Sequence, residues 1–507
     1  MAFLWLACFV GARPLLLPDE GRYAGVAWEM LASGDWRTPT LAGLPFFHKP
    51  PLFYWTSAAA MRVLGLHEIA ARVAPLLGAT LAGAALFLFV RRWRSERMAR
   101  VGLAVLSLQP MFYLGAQFAN HDMLVAGCIT ATILLLAHAA LLPDGAKPPP
   151  GVRIGIGAAA ALGVLSKGLI GLVLPALVIG LWVVATRRWR CLPRLLSPLA
   201  LVSFVAVAAP WFIAMQWRFE GFSHYFFVVQ HFQRYAAGGF NNAQPFWFFP
   251  AVLALASLPW LYWLGPIASG RYFREPGRGE VRLLMLIWVL AVVLFFSLPR
   301  SKLVGYVLPA LPPLAFLVAD GLSIVLARHP RRVCWVWAGA AVSVLACLAP
   351  VFILSLHPAF SHRELGRLIA RERRPGEPVY FLQAYPYDIP FYARLEQPAR
   401  VVEDWASPTV RQRDNWRKEL AEAADFAAAE VGANLIAPAD FRRAACQPGV
   451  RWVVGPEDAA AAYRVLERAR RMASVRGMAV WRFDVPGEGA AGGAPCPGTP
   501  SDGRARK

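Results

Sequence analysis

The sequence predicts a polytopic α-helical membrane protein of about 11 to 13 transmembrane helices with a small α/β domain at its C-terminal end. Three observations lead there. First, the 507 residues are 57% hydrophobic and only 16% charged, with a mean hydropathy of +0.45, whereas soluble domains carry about 25% charged residues. Second, the apolar residues fall in runs of roughly 18 to 25, the length that crosses a bilayer. Third, the arginines bunch in short loops between those runs: Arg91, Arg92, Arg94, Arg97 and Arg100; Arg187, Arg188, Arg190 and Arg194; Arg271, Arg274, Arg278 and Arg282; Arg328, Arg331 and Arg332. Basic clusters in alternate loops mark the cytoplasmic side. They account for the net charge of +21 without a nucleic-acid partner.

Taken in order, residues 1–17 are apolar and are expected to form a first transmembrane helix. The short n-region and the lack of a small-residue cleavage site argue against a cleaved signal peptide. The loop Pro18–Leu66 follows on the outside. Within it, Asp19 is suited to cap the free N–H groups of a first helical turn. Tyr23, Val26, Ala27, Met30 and Leu31 repeat at helical spacing up to a stop at Gly34. This short amphipathic helix is expected to lie along the membrane surface. Leu52 to Leu64 should form a second, entered through Pro50-Pro51. Further spans are expected at about 69–90, 99–118, 122–142, 153–166, 169–186, 195–215, 246–265, 283–298, 304–327 and 333–356. With the arginine clusters inside, the outside segments are 18–66, around 120, around 167, 216–245, around 301 and the chain after His357.

After the membrane domain, residues 1–356, the pattern changes. Ser361-His362-Arg363-Glu364 is a capping-box sequence. Strand-like PVYFL, RVV, RWVV and AVWRF alternate with helical stretches at 408–431 and 456–474. Residues 357–485 therefore read as a small outside α/β domain, and the Gly/Pro-rich tail 486–507 as disordered. The seven cysteines are scattered, with only Cys446 and Cys496 sharing the C-terminal region. Neither a metal spacing nor a disulfide framework is expected.

The unusual polar residues gather in the outside segments. Asp19, Glu20 and Arg22 open the first loop, and His48-Lys49-Pro50-Pro51 nearly closes it. Asn120-His121-Asp122 lies between two spans, and Lys167 stands in an otherwise uncharged apolar hairpin. His231, Arg234 and Tyr235 occur in FVVQHFQRY, and Lys302 and Tyr306 in PRSKLVGYVLP. Each has a plain alternative: Asp19 a helix cap ion-paired to Arg22, Asp122 a polar turn, Lys302 a snorkelling lysine. An ionisable residue near membrane depth, such as Lys167, points to function. Together these loops bring carboxylates and several cations to one membrane face. Lysine and arginine clamp phosphates, and carboxylates act as bases or orient hydroxyls. A phosphate-bearing substrate arriving through the lipid fits this inventory. A soluble nucleotide fits less well, because no Gly-rich phosphate loop is present.

PDEGRY, FHKPPLFYW, the Asn120–Asp122 turn, Lys167, QHFQRY and SKLVGYVLP, in that order, resemble the polyprenyl-phosphate-dependent GT-C glycosyltransferases. Within them the chain is similar to the bacterial lipid A aminoarabinose transferases and their protein O-mannosyltransferase relatives. The likeness runs over about residues 10–330 and extends to YDIPFYARL, Tyr387 to Leu395, in the outside domain. It implies an inner-membrane enzyme that moves a sugar from a polyprenyl-phosphate donor to a lipid, glycolipid or protein acceptor outside the cytoplasm. It also implies catalytic roles for Asp19 and Asp122, with Glu20 beside them, and a donor-phosphate site built from Arg22, Lys49, Lys167, Arg234, Lys302 and Tyr306. One residue departs from the pattern: the aminoarabinose transferases carry Glu before Lys-Pro-Pro, and this chain has His48. With His231 it would offer two imidazoles to a divalent metal; hydrogen-bonding histidines are the simpler alternative, and no cofactor is required.

Two other functional classes compete. A lipid-linked sugar flippase should place its charges near the midplane of repeated or broken helices, whereas here they cluster at one rim and no internal repeat is seen. A membrane anchor for a catalytic C-terminal domain would need a compact constellation in that domain, and none stands out. Labelled lipid-linked sugar turned over in detergent separates an enzyme from both.

Overall fold

The computed structural model describes residues 1–233, 242–357, 360–427 and 434–485, without the side chains of 231–233. The chain forms two compact units: Met1–Pro39 with Phe46–Ala359, and Thr40–Pro45 with Phe360–Lys507.

The first unit is helical. Its helices are α1 (Ala2–Ala7), α2 (Asp19–Ser33), α3 (Leu52–Leu64), α4 (Glu68–Ala71), α5 (Val73–Trp93), α6 (Glu96–Ser107), α7 (Pro110–Ala116), α8 (His121–Leu141), α9 (Pro150–Lys167), α10 (Ile170–Thr186), α11 (Leu192–Leu195), α12 (Pro198–Arg218), α13 (Phe248–Ala256), α14 (Gly279–Ser297), α15 (Leu311–Arg328) and α16 (Val333–Leu356). Among the described residues, six helices are long and apolar enough to cross a bilayer: α5, α8, α12, α14, and α15 and α16 with the turns that lead into them. A seventh is reached if Phe248–Ala256 and Leu258–Ala268, bent by 84°, make one span. The apolar stretches are thus more interrupted than the sequence suggested. Residues 1–17 carry only the six-residue α1. The 99–118 stretch splits into α6 and α7 ahead of Pro110, and 246–265 breaks just before Pro259; proline has no N–H to continue the preceding helix.

Close approach holds the bundle together. A Cβ on Gly127 of α8 would collide with the Gly78 carbonyl of α5, and one on Gly78 would strike the α8 backbone at Met123 and Leu124. Lipid offers little hydrophobic drive between helices, so small residues that let backbones touch supply the contact. On the outward faces of α12 and α16, Leu201, Val202, Val205, Ile213, Val342, Leu345 and Ile353 stay exposed, as surfaces that face acyl chains should.

The second unit has a six-stranded sheet. Its strands are β3 (Val379–Leu382), β4 (Arg400–Val402), β5 (Leu435–Ile436), β6 (Gly449–Pro456), β7 (Arg470–Val475) and β8 (Met478–Val485), in the order β5-β4-β3-β6-β8-β7. β5, β4, β3 and β6 are parallel; β8 and β7 are antiparallel. Its largest described helices are α17 (Arg363–Glu372), α18 (Trp416–Ala424) and α19 (Pro438–Ala445). Tyr380, Leu382, Phe441, Val453 and Trp481 fill the core. Residues 470–475, expected as helix, are the edge strand β7: the β8 hairpin partner is close in sequence and overrides local propensity. A hairpin from the first loop belongs to this unit, β1 (Thr40–Leu41) and β2 (Leu44–Pro45); Leu41 and Leu44 are buried, and Asn434 donates to the Ala42 carbonyl at 3.0 Å. Cys446 is disulfide-bonded, against the expectation of no disulfide framework. The tail 486–507 lies outside the described residues.

One carboxylate pins one end of the first unit. Glu20 is fully buried. Its Oε1 accepts from Arg72 Nε at 2.8 Å and from the Ala119 N–H at 2.8 Å. Its Oε2 accepts from Arg72 Nη2 at 3.0 Å, from the Leu16 N–H at 2.9 Å, and from Arg13. Arg72 also donates to the Val10, Arg13 and Pro14 carbonyls, and Arg13 to the Gln117 carbonyl. The sequence reading placed Glu20 among the catalytic residues. With no exposed surface and with both oxygens occupied by structural donors, it holds the scaffold instead. Burial alone raises such a carboxyl, but the Arg13 and Arg72 charges and their hydrogen bonds outweigh it and hold Glu20 at about 2.

A folded pKa below the unfolded value stabilises the fold above about pH 4.5, and the contribution fades as pH falls from there toward 2. Glu20→Gln would leave two buried guanidiniums without a counter-charge, a loss of roughly 3–5 kcal/mol. The variant should unfold at a clearly lower temperature than wild type at pH 7 in detergent, and the gap should narrow as pH drops from 5 to 3. Equal melting temperatures at pH 7, or a gap that ignores pH, would remove the ion cluster as the anchor.

Candidate active site

One rim of the first unit is assembled from three stretches far apart in sequence. The first is α2, whose start carries Asp19 and Arg22. Pro18, not Asp19, takes the N-cap position, so the expected capping role is replaced by that of a first-turn acid, which the helix dipole favours. Gly34 ends the helix in the left-handed conformation, as its sequence indicates. Asp19 and Arg22 lie 3.7 Å apart, with Asp19 the more exposed. Arg22 stacks over the Tyr23 ring, which meets the His121 imidazole edge-on at 4.5 Å between centroids.

The second stretch is the turn into α8. Asn120 caps the helix by accepting from the Asp122 N–H at 3.0 Å, and its amide donates to Asp122 Oδ2 at 3.1 Å. His121 is buried against Tyr23, Phe53 at 4.7 Å and Tyr54 at 5.2 Å. The third stretch supplies the cation. Lys167, the last residue of α9, ion-pairs with Asp122 and lies 4.3 Å from the centre of the Tyr306 ring. Gly305 packs so tightly on Asp122 that a Cβ there would overlap the carboxylate. Phe296 at 5.1 Å backs Tyr306 from α14.

Side-chain contacts thus link Asp19, Arg22, Tyr23 and His121, and the next residue in the chain, Asp122, pairs with Lys167 beside Tyr306. Lys49 joins the same place, since its charge and that of Lys167 both bear on His121. Two acids and three cations stand at one rim, two of those cations in low-dielectric surroundings where attraction to an anion is strongest. Such a site can hold a phosphate, stabilise charge that builds on it, and hold a carboxylate beside it.

Other expected members are placed differently. Lys302 is buried, and its ammonium donates to the Gln244 carbonyl at 2.9 Å and the Pro299 carbonyl at 2.6 Å. It ties two loop backbones together, and that occupation argues against a phosphate contact. His48 packs on Phe46 at 4.6 Å and faces Tyr225 at 6.2 Å. Arg234 and the His231 side chain lie outside the described residues. Among the described residues no three His, Cys, Asp or Glu side chains gather as metal ligands. The sequence reading missed Arg13, Arg72 and the aromatic wall of Tyr23, Phe53 and Tyr54. The two arginines carried a signal, each a lone charge in an apolar stretch; the aromatics carried none.

Comparison with known proteins places this geometry. Residues 48–213 match the family model described as dolichyl-phosphate-mannose-protein mannosyltransferase. The chain is 34% identical over 362 residues to the undecaprenyl phosphate-alpha-4-amino-4-deoxy-L-arabinose arabinosyl transferase of Aeromonas hydrophila, covering 70% of this chain and 64% of the relative. It is 38% identical over 315 residues to a transferase of the same description from Sodalis glossinidius, covering 61% of this chain and 55% of the relative. The chain therefore spans less than two thirds of the length of these curated relatives. The crystal structure of ArnT from Cupriavidus metallidurans bound to undecaprenyl phosphate superposes with a TM-score of 0.80 at 25% identity, over 95% of this chain and 96% of that one. Fold, motif order and sequence agree in making the chain similar to the GT-C superfamily of membrane glycosyltransferases.

Proposed function

We propose that the protein is an integral-membrane glycosyltransferase that moves a sugar from undecaprenyl phosphate to lipid A or a similar phosphorylated glycolipid on the outer face of the inner membrane. The observation that carries this reading is the meeting of Asp19 and Arg22, through Tyr23 and His121, with the helix start that holds the Asp122–Lys167 pair beside Tyr306. It gathers acid and cations from three outside loops at the depth where a lipid-linked phosphate lies. The names of the relatives support the donor and the sugar class, 4-amino-4-deoxy-L-arabinose being the first to test.

In the transfer, the bond from sugar C1 to the donor phosphate oxygen breaks and a bond from C1 to an acceptor oxygen forms. Undecaprenyl phosphate leaves with one more unit of negative charge than it carried in the diester. Arg22, Lys49 and Lys167 stabilise that charge as it develops. Where the acceptor oxygen is a hydroxyl, Asp19 takes its proton; where it is a phosphate, the nucleophile is already ionised and Asp19 positions it. Asp122 holds the Lys167 ammonium in place through the ion pair.

Asp19→Asn should lower turnover about 10²-fold or more while the protein remains folded. Near-normal turnover would leave Asp19 as a first-turn charge and nothing else. The assay is detergent-solubilised enzyme with undecaprenyl-linked sugar and lipid A, read by mass spectrometry; transfer to a Ser/Thr peptide instead would move the acceptor to protein.

Lys49 stands on a backbone stiffened by two prolines, which lowers the entropic cost of meeting a phosphate. Lys49→Ala should therefore lower kcat and raise the donor KM together, with the acceptor KM little changed, and Lys49→Arg should rescue only in part. Unchanged donor kinetics in the alanine variant would take Lys49 out of the donor site.

The orientation has its own test. Introduced cysteines at Ala32 and Arg413, both exposed, should react with a membrane-impermeant thiol reagent in cells with a permeabilised outer membrane. Reaction at one alone would overturn the shared outside placement of first loop and C-terminal domain.

A further inference from the structure

We propose that an open groove of about 360 Å³ at the outer end of α12, lined by Arg37, Ala214, Met215, Trp217 and Arg218, seats the phosphorylated headgroup of the glycolipid acceptor. This rests on the transferase reading above and adds to it a second lipid-binding place. The groove lies at the end of α12 opposite the Arg187–Arg194 cluster, hence on the outer rim. Below it, Leu201, Val202, Val205 and Ile213 of the same helix face lipid. Trp217 is 86% exposed at the last turn, the level at which tryptophan marks the headgroup zone. An amphiphile can therefore keep its acyl chains along α12 and raise its headgroup into the groove.

The groove is apolar inside and carries two solvent-facing cations at its rim. One carboxylate, Asp35, positions two guanidiniums: Arg218 Nη1 lies 3.0 Å from its Oδ2 and Arg37 Nε 3.7 Å from its Oδ1. Asp35 Oδ1 is itself fixed by the Arg37 N–H at 2.9 Å. Each guanidinium has five N–H donors, and Asp35 engages one nitrogen of each, so donors remain for bidentate contact with phosphate. Two arginines against one aspartate leave the groove net positive.

Continuity with the catalytic loop favours the acceptor over bulk lipid. Trp211 Nε1 donates to the Arg37 carbonyl at 2.9 Å. The Trp211 ring meets Phe222 at 5.5 Å, and Phe222 meets Phe47 at 4.9 Å. Phe47 is two residues from Lys49. A transferase with two lipidic substrates needs two lipid-accessible anion seats held in register. Arg22, Lys49 and Lys167 serve the donor, and Arg37 with Arg218 serves the other.

The test uses the full chain in detergent and three probes: bisphosphorylated lipid A, the same lipid after removal of both phosphates, and phosphatidylglycerol. Binding is read by native mass spectrometry. In the double variant Arg37→Gln/Arg218→Gln, bisphosphorylated lipid A should bind about tenfold more weakly, and its acceptor KM should rise to match. Undecaprenyl phosphate binding should stay within about twofold, which also certifies the fold. Ala214→Trp, which fills the groove without touching a charge, should weaken lipid A binding as well and covers the case in which the double variant fails to fold. Wild type should prefer bisphosphorylated lipid A to both other probes. Unchanged lipid A binding in either folded variant overturns the proposal, and so does equal binding of phosphatidylglycerol, which would make the groove a general anionic-lipid seat. Charge-dependent lipid A binding in a protein that transfers no sugar would support the groove and sink the transferase reading alone.

Discussion

The Glu20 carboxylate, clamped between Arg13 and Arg72, is the interaction on which the rest of the candidate site's rim depends. Taking three charges out of water is costly, and such clusters add little net stability against a well-packed apolar core. What this one provides is position. Glu20 follows Asp19 directly, and its Oε1 accepts from Ala119, one residue before the Asn120–Asp122 turn. One carboxylate therefore sets the start of α2 and the start of α8 against each other. The Tyr23–His121 contact follows from that placement. Substitutions at Arg13 or Arg72 would act on the site without touching a substrate.

The Asp122–Lys167 pair works on a different principle. Both side chains are mostly buried, and the lysine also faces the Tyr306 ring. A carboxylate on one side and an aromatic face on the other hold the ammonium in one position. The charge is held ready at fixed geometry, so little reorganisation is needed when negative charge develops nearby. Gly305 makes this possible, because any side chain there would displace the carboxylate.

Much of this was legible in the sequence, for reasons that differ by element. α2 and α3 were readable because helical periodicity and their Pro and Gly boundaries act locally. Strands β3, β4, β6 and β8 were readable as short β-branched and aromatic runs. The gathering of Asp19, Asp122 and Lys167 on one side followed from alternating arginine loops. Which of two adjacent carboxylates turns inward did not: Asp19 and Glu20 sit about 100° apart on the helix, and only the positions of Arg13 and Arg72 decide between them. Lys302 was equally opaque, because the carbonyls it serves belong to Gln244, a contact 58 residues away in sequence, and to Pro299. Interrupted spans were missed because hydropathy counts side chains and does not see a missing backbone N–H.

The hairpin Thr40–Pro45 has a consequence for biogenesis. It emerges from the ribosome early, yet Asn434, which bonds to its Ala42 carbonyl, lies 392 residues downstream. At bacterial elongation rates of about 5–20 residues per second, that gap amounts to roughly 20 to 80 s. For that interval Leu41 and Leu44 are synthesised but not covered. The hairpin is made long before the residue that covers it, so a chain interrupted before the C-terminal unit leaves that hairpin open to quality-control proteases.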